Sequence, residues 1–274
     1  MHNLMIDFTL RKYRQLLLTL QQQGYQFLTF EQYLTTHCPP KTEGDLQAER
    51  SKFIILRHDV DLKAANSLAT AQIEQELGIQ ASYYFRVVPQ SNQPDIIRAI
   101  AHLGHEIGYH YEDMAICQGN HQQAYEHFLK QLAYFRQFYP VRTICMHGAP
   151  TSQWDGKELW KHYNYHDLDI IGEPYFDVDF SQLFYLTDTG RSWDGYKVSV
   201  RDKIPVYQDQ WIARGLVYHT TQDIICAAEQ GSLPPRIMIT THPQRWTDQP
   251  LAWTKELVLQ SLKNVVKRLF FVKK

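Results

Sequence analysis

From residue 52 onward, short apolar runs alternate with segments of helical periodicity, and almost every apolar run ends in a chemically capable side chain. Residues 53–56 precede a helical stretch over 64–77 stopped by Gly78, and residues 82–85 precede one over 95–103 stopped by Gly104. Residues 106–109 lead into a long helix near 122–138, ended by Pro140, and residues 142–146 form the next strand. Weaker strand signals at 168–171 and 183–186 follow, then a helix near 222–229, a clear strand at 236–240 and a last helix around 255–268. Repeated βα units imply parallel strands covered by helices. About seven such units in one chain fit a closed or nearly closed α/β barrel better than an open sheet.

Ahead of this series, Leu10, Tyr13, Leu16, Leu17 and Leu20 recur at helical spacing and Gly24 marks the stop. Residues 25–30 read as a short extended segment, and a polar stretch over 39–51 joins it to the main body. No linker rich in Pro, Gly and Ser interrupts the chain. One domain over residues 1–274 is therefore expected, with residues 1–50 as an N-terminal extension packed on the barrel, because a lone amphipathic helix needs a surface for its leucines. Lys and Arg number 28 against 29 Asp and Glu, so 28 − 29 leaves a net charge of −1 and speaks against a nucleic-acid partner. No stretch approaches the length of a membrane span, and the start lacks the pattern of a secretory signal. The four cysteines (Cys38, Cys117, Cys145, Cys226) are too scattered for a zinc ribbon or a disulfide framework. A cytoplasmic protein with no membrane partner is the expectation; the oligomeric state is not specified by the sequence.

The strand ends carry the functional signal. His58, Asp59 and Asp61 follow the first strand, Arg86 ends the second, and His110 and Glu112 close the third. His147 follows the fourth, Glu173 the fifth, Asp188 the sixth and His242 the last. In α/β barrels the active site is built at the C-terminal ends of the strands. Period-two alternation puts Asp59 and Asp61 on one face, where two carboxylates repel unless a cation relieves them. A divalent metal gives that relief, leaving one Asp as ligand and the other as a base; the plainer alternative is a helix-capping aspartate. His105 and His110 have opposite parity, so only His110, at the strand end, faces the site, where imidazole suits zinc, iron, cobalt or nickel. Gly108 allows a close approach beside it.

Three segments together resemble the polysaccharide deacetylase superfamily (carbohydrate esterase family 4 and its relatives), over roughly residues 50–245. They are Ile54-Ile55-Leu56-Arg57-His58-Asp59-Val60-Asp61, Gly104-His105-Glu106-Ile107-Gly108-Tyr109-His110 and Ile239-Thr240-Thr241-His242-Pro243. The resemblance implies a distorted (β/α) barrel of about seven parallel strands and a metal-dependent hydrolase that removes an acetyl or other acyl group from an amino sugar or related carbohydrate. It assigns Asp59 as general base, Asp61 and His110 as ligands of a divalent metal, and His242 as general acid. Zinc is the first expectation for the metal, with nickel, cobalt or iron as others.

Two departures from the family pattern stand out. The second metal histidine, four residues after the first, is Met114 here, and a thioether is a poor ligand for such ions. The Arg-Pro-Pro-x-Gly-like motif after the fourth strand is replaced by Met146-His147-Gly148-Ala149-Pro150. His147 is the first candidate for the missing ligand, with contact to substrate or to Asp59 as its alternative, and Glu112 is the next candidate. Arg86, Asp188, Arg191 and Trp193 are expected to bind substrate: Arg191 by meeting an anionic group or neutralising Asp59, Trp193 by stacking on a sugar, and Asp188 also by orienting His242. A carbohydrate-binding protein without catalysis is the competing reading.

Overall fold

The computed structural model describes residues 6–37, 51–199, 201 and 203–270. Most of the polar 39–51 stretch and Cys38 lie outside them. Seven parallel strands are β1 (Gln26–Leu28), β2 (Phe53–Val60), β3 (Ser82–Phe85), β4 (Glu106–Tyr111), β5 (Ile144–Met146), β6 (Phe184–Thr187) and β7 (Arg236–Thr241). The helices are α1 (Leu10–Gln22), α2 (Phe30–Thr36), α3 (Ala64–Glu76), α4 (Pro94–His102), α5 (Asp113–Ile116), α6 (His121–Phe135), α7 (Pro174–Asp177), α8 (Pro205–Ala213), α9 (Thr221–Glu229) and α10 (Pro250–Phe270).

The strand order is β5-β4-β3-β2-β7-β6, with β1 paired to the first residues of β2. β2 is the centre: every residue in it is buried, as expected of a parallel strand covered on both faces. The sheet curls into a half-barrel whose edges, β5 and β6, do not pair among the described residues. The sheet is thus the distorted, incompletely closed form of the expected barrel of about seven parallel strands. The reason lies in the weak 168–171 signal. Those residues form the end of a 3₁₀ turn (Tyr165–Leu168) and a left-handed Asp169 (φ 57°), leaving only a single bridge from Gly172 to Thr143.

The N-terminal segment is welded to this sheet. Thr9 caps α1 by accepting from the Lys12 backbone N–H (3.1 Å), and Tyr13, Leu16, Leu17 and Leu20 are buried. The Tyr13 hydroxyl donates to Glu74 (2.5 Å) on α3, and the Tyr25 hydroxyl donates to the Leu233 carbonyl (3.0 Å). Glu74 also accepts from Tyr83 (2.8 Å) and lies 2.7 Å from Nε2 of His58, so a buried polar cluster sits beneath the sheet. Among the described residues no helix is long and apolar enough to cross a membrane.

Gly108 sits where β4 passes under a tyrosine. A Cβ there would lie 2.3 Å from Cε1 of Tyr84 and 2.9 Å from the Thr143 carbonyl oxygen. The ring cannot swing aside freely, because the Tyr84 hydroxyl is hydrogen-bonded to Thr143 Oγ1 (2.8 Å). Gly108→Ala is therefore expected to destabilise by about 1–3 kcal/mol, as overpacked core sites do. A urea midpoint lowered at unchanged slope would show it; an unchanged midpoint would mean that the sheet yields at β4.

Candidate functional site

Because all strands run parallel, their C-terminal ends gather Asp59, Asp61, His110, His147 and His242 at the floor of one cavity of about 530 Å³. Asp59 and Asp61 do face the same way: Oδ2 of Asp59 lies 3.7 Å and Oδ1 of Asp61 lies 3.6 Å from the same atom, Nε2 of His110.

The two carboxylates are compensated differently. Arg57, two residues before Asp59 on β2 and so on the same face, donates from Nε to Oδ1 (2.8 Å) and from Nη2 to Oδ2 (2.6 Å). Burial alone would raise the Asp59 carboxyl; the Arg57 guanidinium, helped by His110, outweighs it and holds Asp59 well below the usual carboxylate range. Asp61 has no such partner. Its Oδ2 accepts from Gln244 Nε2 (3.3 Å), and its Oδ1 is buried without a hydrogen bond. Three imidazole Nε2 atoms converge on this carboxylate, those of His147 at 3.4 Å, His110 at 3.6 Å and His242 at 3.9 Å. Burial raises the Asp61 carboxyl, while His147, His242 and His110 together bring it below its ordinary value.

Each histidine is oriented by its other nitrogen. His110 Nδ1 lies 2.9 Å from the Cys145 carbonyl, which can only accept, so Nδ1 carries the proton and Nε2 turns a lone pair to the site. Burial brings the His110 pKa down to about 4, keeping the ring neutral at neutral pH. His147 Nδ1 meets Glu112 Oε2 (2.9 Å), and Glu112 in turn accepts from Nε and Nη2 of Arg86 (2.9 and 2.8 Å). His242 Nδ1 meets Asp188 Oδ1 (2.6 Å). Burial and the neighbouring Arg245 both oppose charging of His242, yet Asp188, with Asp61 beyond it, carries its pKa above the ordinary imidazole value.

The donor set fits a divalent metal. One carboxylate oxygen and two imidazole nitrogens from Asp61, His110 and His147 lie within 4.8 Å of one another, and the carboxylate oxygen among them is the orphaned one. Imidazoles backed by a carbonyl and a carboxylate are the usual form of metal-ligating histidine. A second grouping, Asp59, His110 and Cys145, meets the same distance criterion. It is the poorer site, because Arg57 already occupies both oxygens of Asp59.

Four expected substrate contacts fall elsewhere. Arg86 is committed to Glu112 and does not line this cavity. Asp188 is fully buried and saturated by His242, Arg245 and the Trp246 indole N–H (2.8 Å). Arg191, in a left-handed turn (φ 60°), stacks its guanidinium 4.4 Å from the Trp253 ring centroid and does not line the cavity. Trp193 is a core residue whose indole N–H donates to Thr221 (2.9 Å). Met114 is buried in the core on α5 and does not line the cavity. Arg57, Gln244 and Arg245 carry weight that the sequence reading did not assign. For Arg57 a signal existed: a cation two residues from an Asp on a strand shares its face.

No family model matches the chain, and no curated protein matches it. Among solved structures it is similar to a CE4 family pseudoenzyme from Bacillus anthracis (12% identity, TM-score 0.43), with 80% of this chain covering 62% of that one. It is also similar to the CE4 domain of a multidomain xylanase from the hindgut metagenome of Trinervitermes trinervoides (13% identity, TM-score 0.39; 79% of this chain, 85% of that one). A mutant of the peptidoglycan deacetylase PdaC from Bacillus subtilis matches at 11% identity and TM-score 0.37 (81% of this chain, 98% of that one). The chain spans about 62% of the length of the first of these structures.

Asp188→Asn removes the charge that lifts His242. The His242 titration, followed by NMR, is expected to move to lower pH in this variant, so that the imidazolium is lost earlier as pH rises. A titration unmoved or moved upward would show that Arg245, and not Asp188, governs this ring.

Proposed function

We propose that this chain is a metal-dependent hydrolase, a divergent polysaccharide deacetylase that removes an acyl group, such as acetyl, from an amino sugar or related carbohydrate. The observation that carries the reading is the orphaned Asp61 oxygen facing His110 and His147, with Asp59 and His242 on the same cavity floor. Asp61, His110 and His147 would hold the ion, zinc first, with nickel, cobalt or iron as alternatives. When bound, it supplies Lewis-acid polarisation of the acyl carbonyl. Asp59, kept ionised by Arg57, accepts a proton from the attacking water. His242, held in its tautomer by Asp188 and readily protonated, gives a proton to the departing amine. Arg86 acts at a distance by fixing Glu112, which fixes the His147 ring. A cytoplasmic location is part of this reading.

One observation favours a second reading, a carbohydrate-binding protein without catalysis. Arg57 caps both oxygens of Asp59, and a carboxylate so stabilised is a weak base. The two readings part on a pair of variants, followed by metal content and by acetate released from N-acetylglucosamine oligomers. Asp59→Asn is expected to keep the metal and lose about 10²–10⁴-fold in turnover, as loss of a proton-transfer group does. Asp61→Asn is expected to lose both. Saccharide binding that survives chelation, with no acetate released by the metal-loaded protein, would favour the binding protein; the reverse variant pattern would undo the assignment of base and ligand.

A further inference from the structure

The C-terminal helix α10 is inverted relative to an ordinary surface helix. Where α10 is pinned to the body its contacts are polar or hydrogen-bonded: Gln260 is buried, Asn264 donates to the Gly190 carbonyl (2.7 Å), Glu256 pairs with Lys63 (2.7 Å) and the Trp253 indole donates to the Asp7 carbonyl (2.7 Å). Its outward side carries Leu251, Val258, Val265 and Leu269, at helical spacing and from 53% to 88% exposed. A soluble helix turns such a stripe toward a core. An apolar row of this length on the outside marks an interaction surface.

Charge indicates the occupant. Lys255, Lys263 and Arg268 are exposed on the same helix, and its one acidic residue, Glu256, is already paired with Lys63. A second copy of α10 laid on this row would bring cations against cations. A surface that is apolar beneath and anionic above satisfies both the leucines and the lysines, as at an anionic lipid headgroup layer. The face is continuous with the site as well: Leu259, Leu262, Lys263 and Val266 of α10 line the cavity that holds Asp61. We propose that α10 is an interfacial helix that seats the protein on an anionic lipid surface with the cavity mouth beside the lipid. This replaces the expectation of no membrane partner, which rested on the lack of a spanning segment; an interfacial helix lies in the surface and does not cross it. Docking is independent of the hydrolase reading, since Leu251, Val258, Val265 and Leu269 are not among the metal-site residues.

The full chain is sedimented with vesicles of phosphatidylcholine, with and without phosphatidylglycerol. It is expected to bind only the vesicles containing phosphatidylglycerol, and less as salt rises. Lys255→Glu with Arg268→Glu is expected to weaken binding more than about tenfold, each cation near such a surface being worth roughly fivefold. Val258→Asp with Val265→Asp, both at exposed positions, is expected to abolish binding with an unchanged circular dichroism spectrum; should that variant misfold, the charge-reversed one carries the test. Equal binding to both vesicles, or to neither, would overturn the proposal. So would a dimer in sedimentation equilibrium that Val258→Asp dissociates, since the row would then be a subunit interface.

Discussion

Two carboxylates two residues apart, buried Asp59 on β2 and half-buried Asp61 just past its end, impose the condition that the rest of this site answers. Side by side and largely shielded from water, Asp59 and Asp61 are ionised together only where positive charge is brought to each. β2 supplies one answer itself, since Arg57 shares the face of Asp59 and closes a bidentate pair with it. No residue of β2 answers for Asp61. The answer comes from three other strands, whose histidines direct their Nε2 atoms at it from 3.4 to 3.9 Å.

That division of labour explains the outer layer. A histidine serves a metal or a proton transfer only if its far nitrogen is pinned, and each of the three is pinned by a different element. Cys145 on β5 holds His110, Glu112 at the end of β4 holds His147, and Asp188 at the end of β6 holds His242. Arg86 and Arg245 then fix Glu112 and Asp188. Arg86 and Asp188, expected as substrate contacts, thus hold the residues that orient, or are, the cavity-floor histidines.

Most of the sheet was legible because short apolar runs alternate with helical stretches, and parity alone separates His110, which faces the site, from His105, which does not. The apolar pattern does not mark α2, whereas Thr29 and Gln32 form a capping box, a signal readable in the sequence. Direction was the harder part. Arg191 and Trp193 lie near the right strand end, but the left-handed turn at Arg191 sends their side chains toward α10 and the core, which no spacing reveals. His147 was legible as a strand-end residue, whereas its reach to Asp61 depends on β5 pairing beside β4. For α10 the periodicity shows an apolar stripe, but only the packed structure shows that the stripe faces outward.

Asp61, His110 and His147 are proposed to hold one divalent ion together. X-ray absorption at the zinc edge, on the full chain loaded with one equivalent of zinc, tests it most directly. The expected spectrum shows imidazole scattering from two histidines with zinc–nitrogen distances of about 2.0–2.1 Å, reduced to one imidazole in His147→Ala. A sulfur shell near 2.3 Å would place the ion at Cys145 instead, and a spectrum unaltered in His147→Ala would contradict the account.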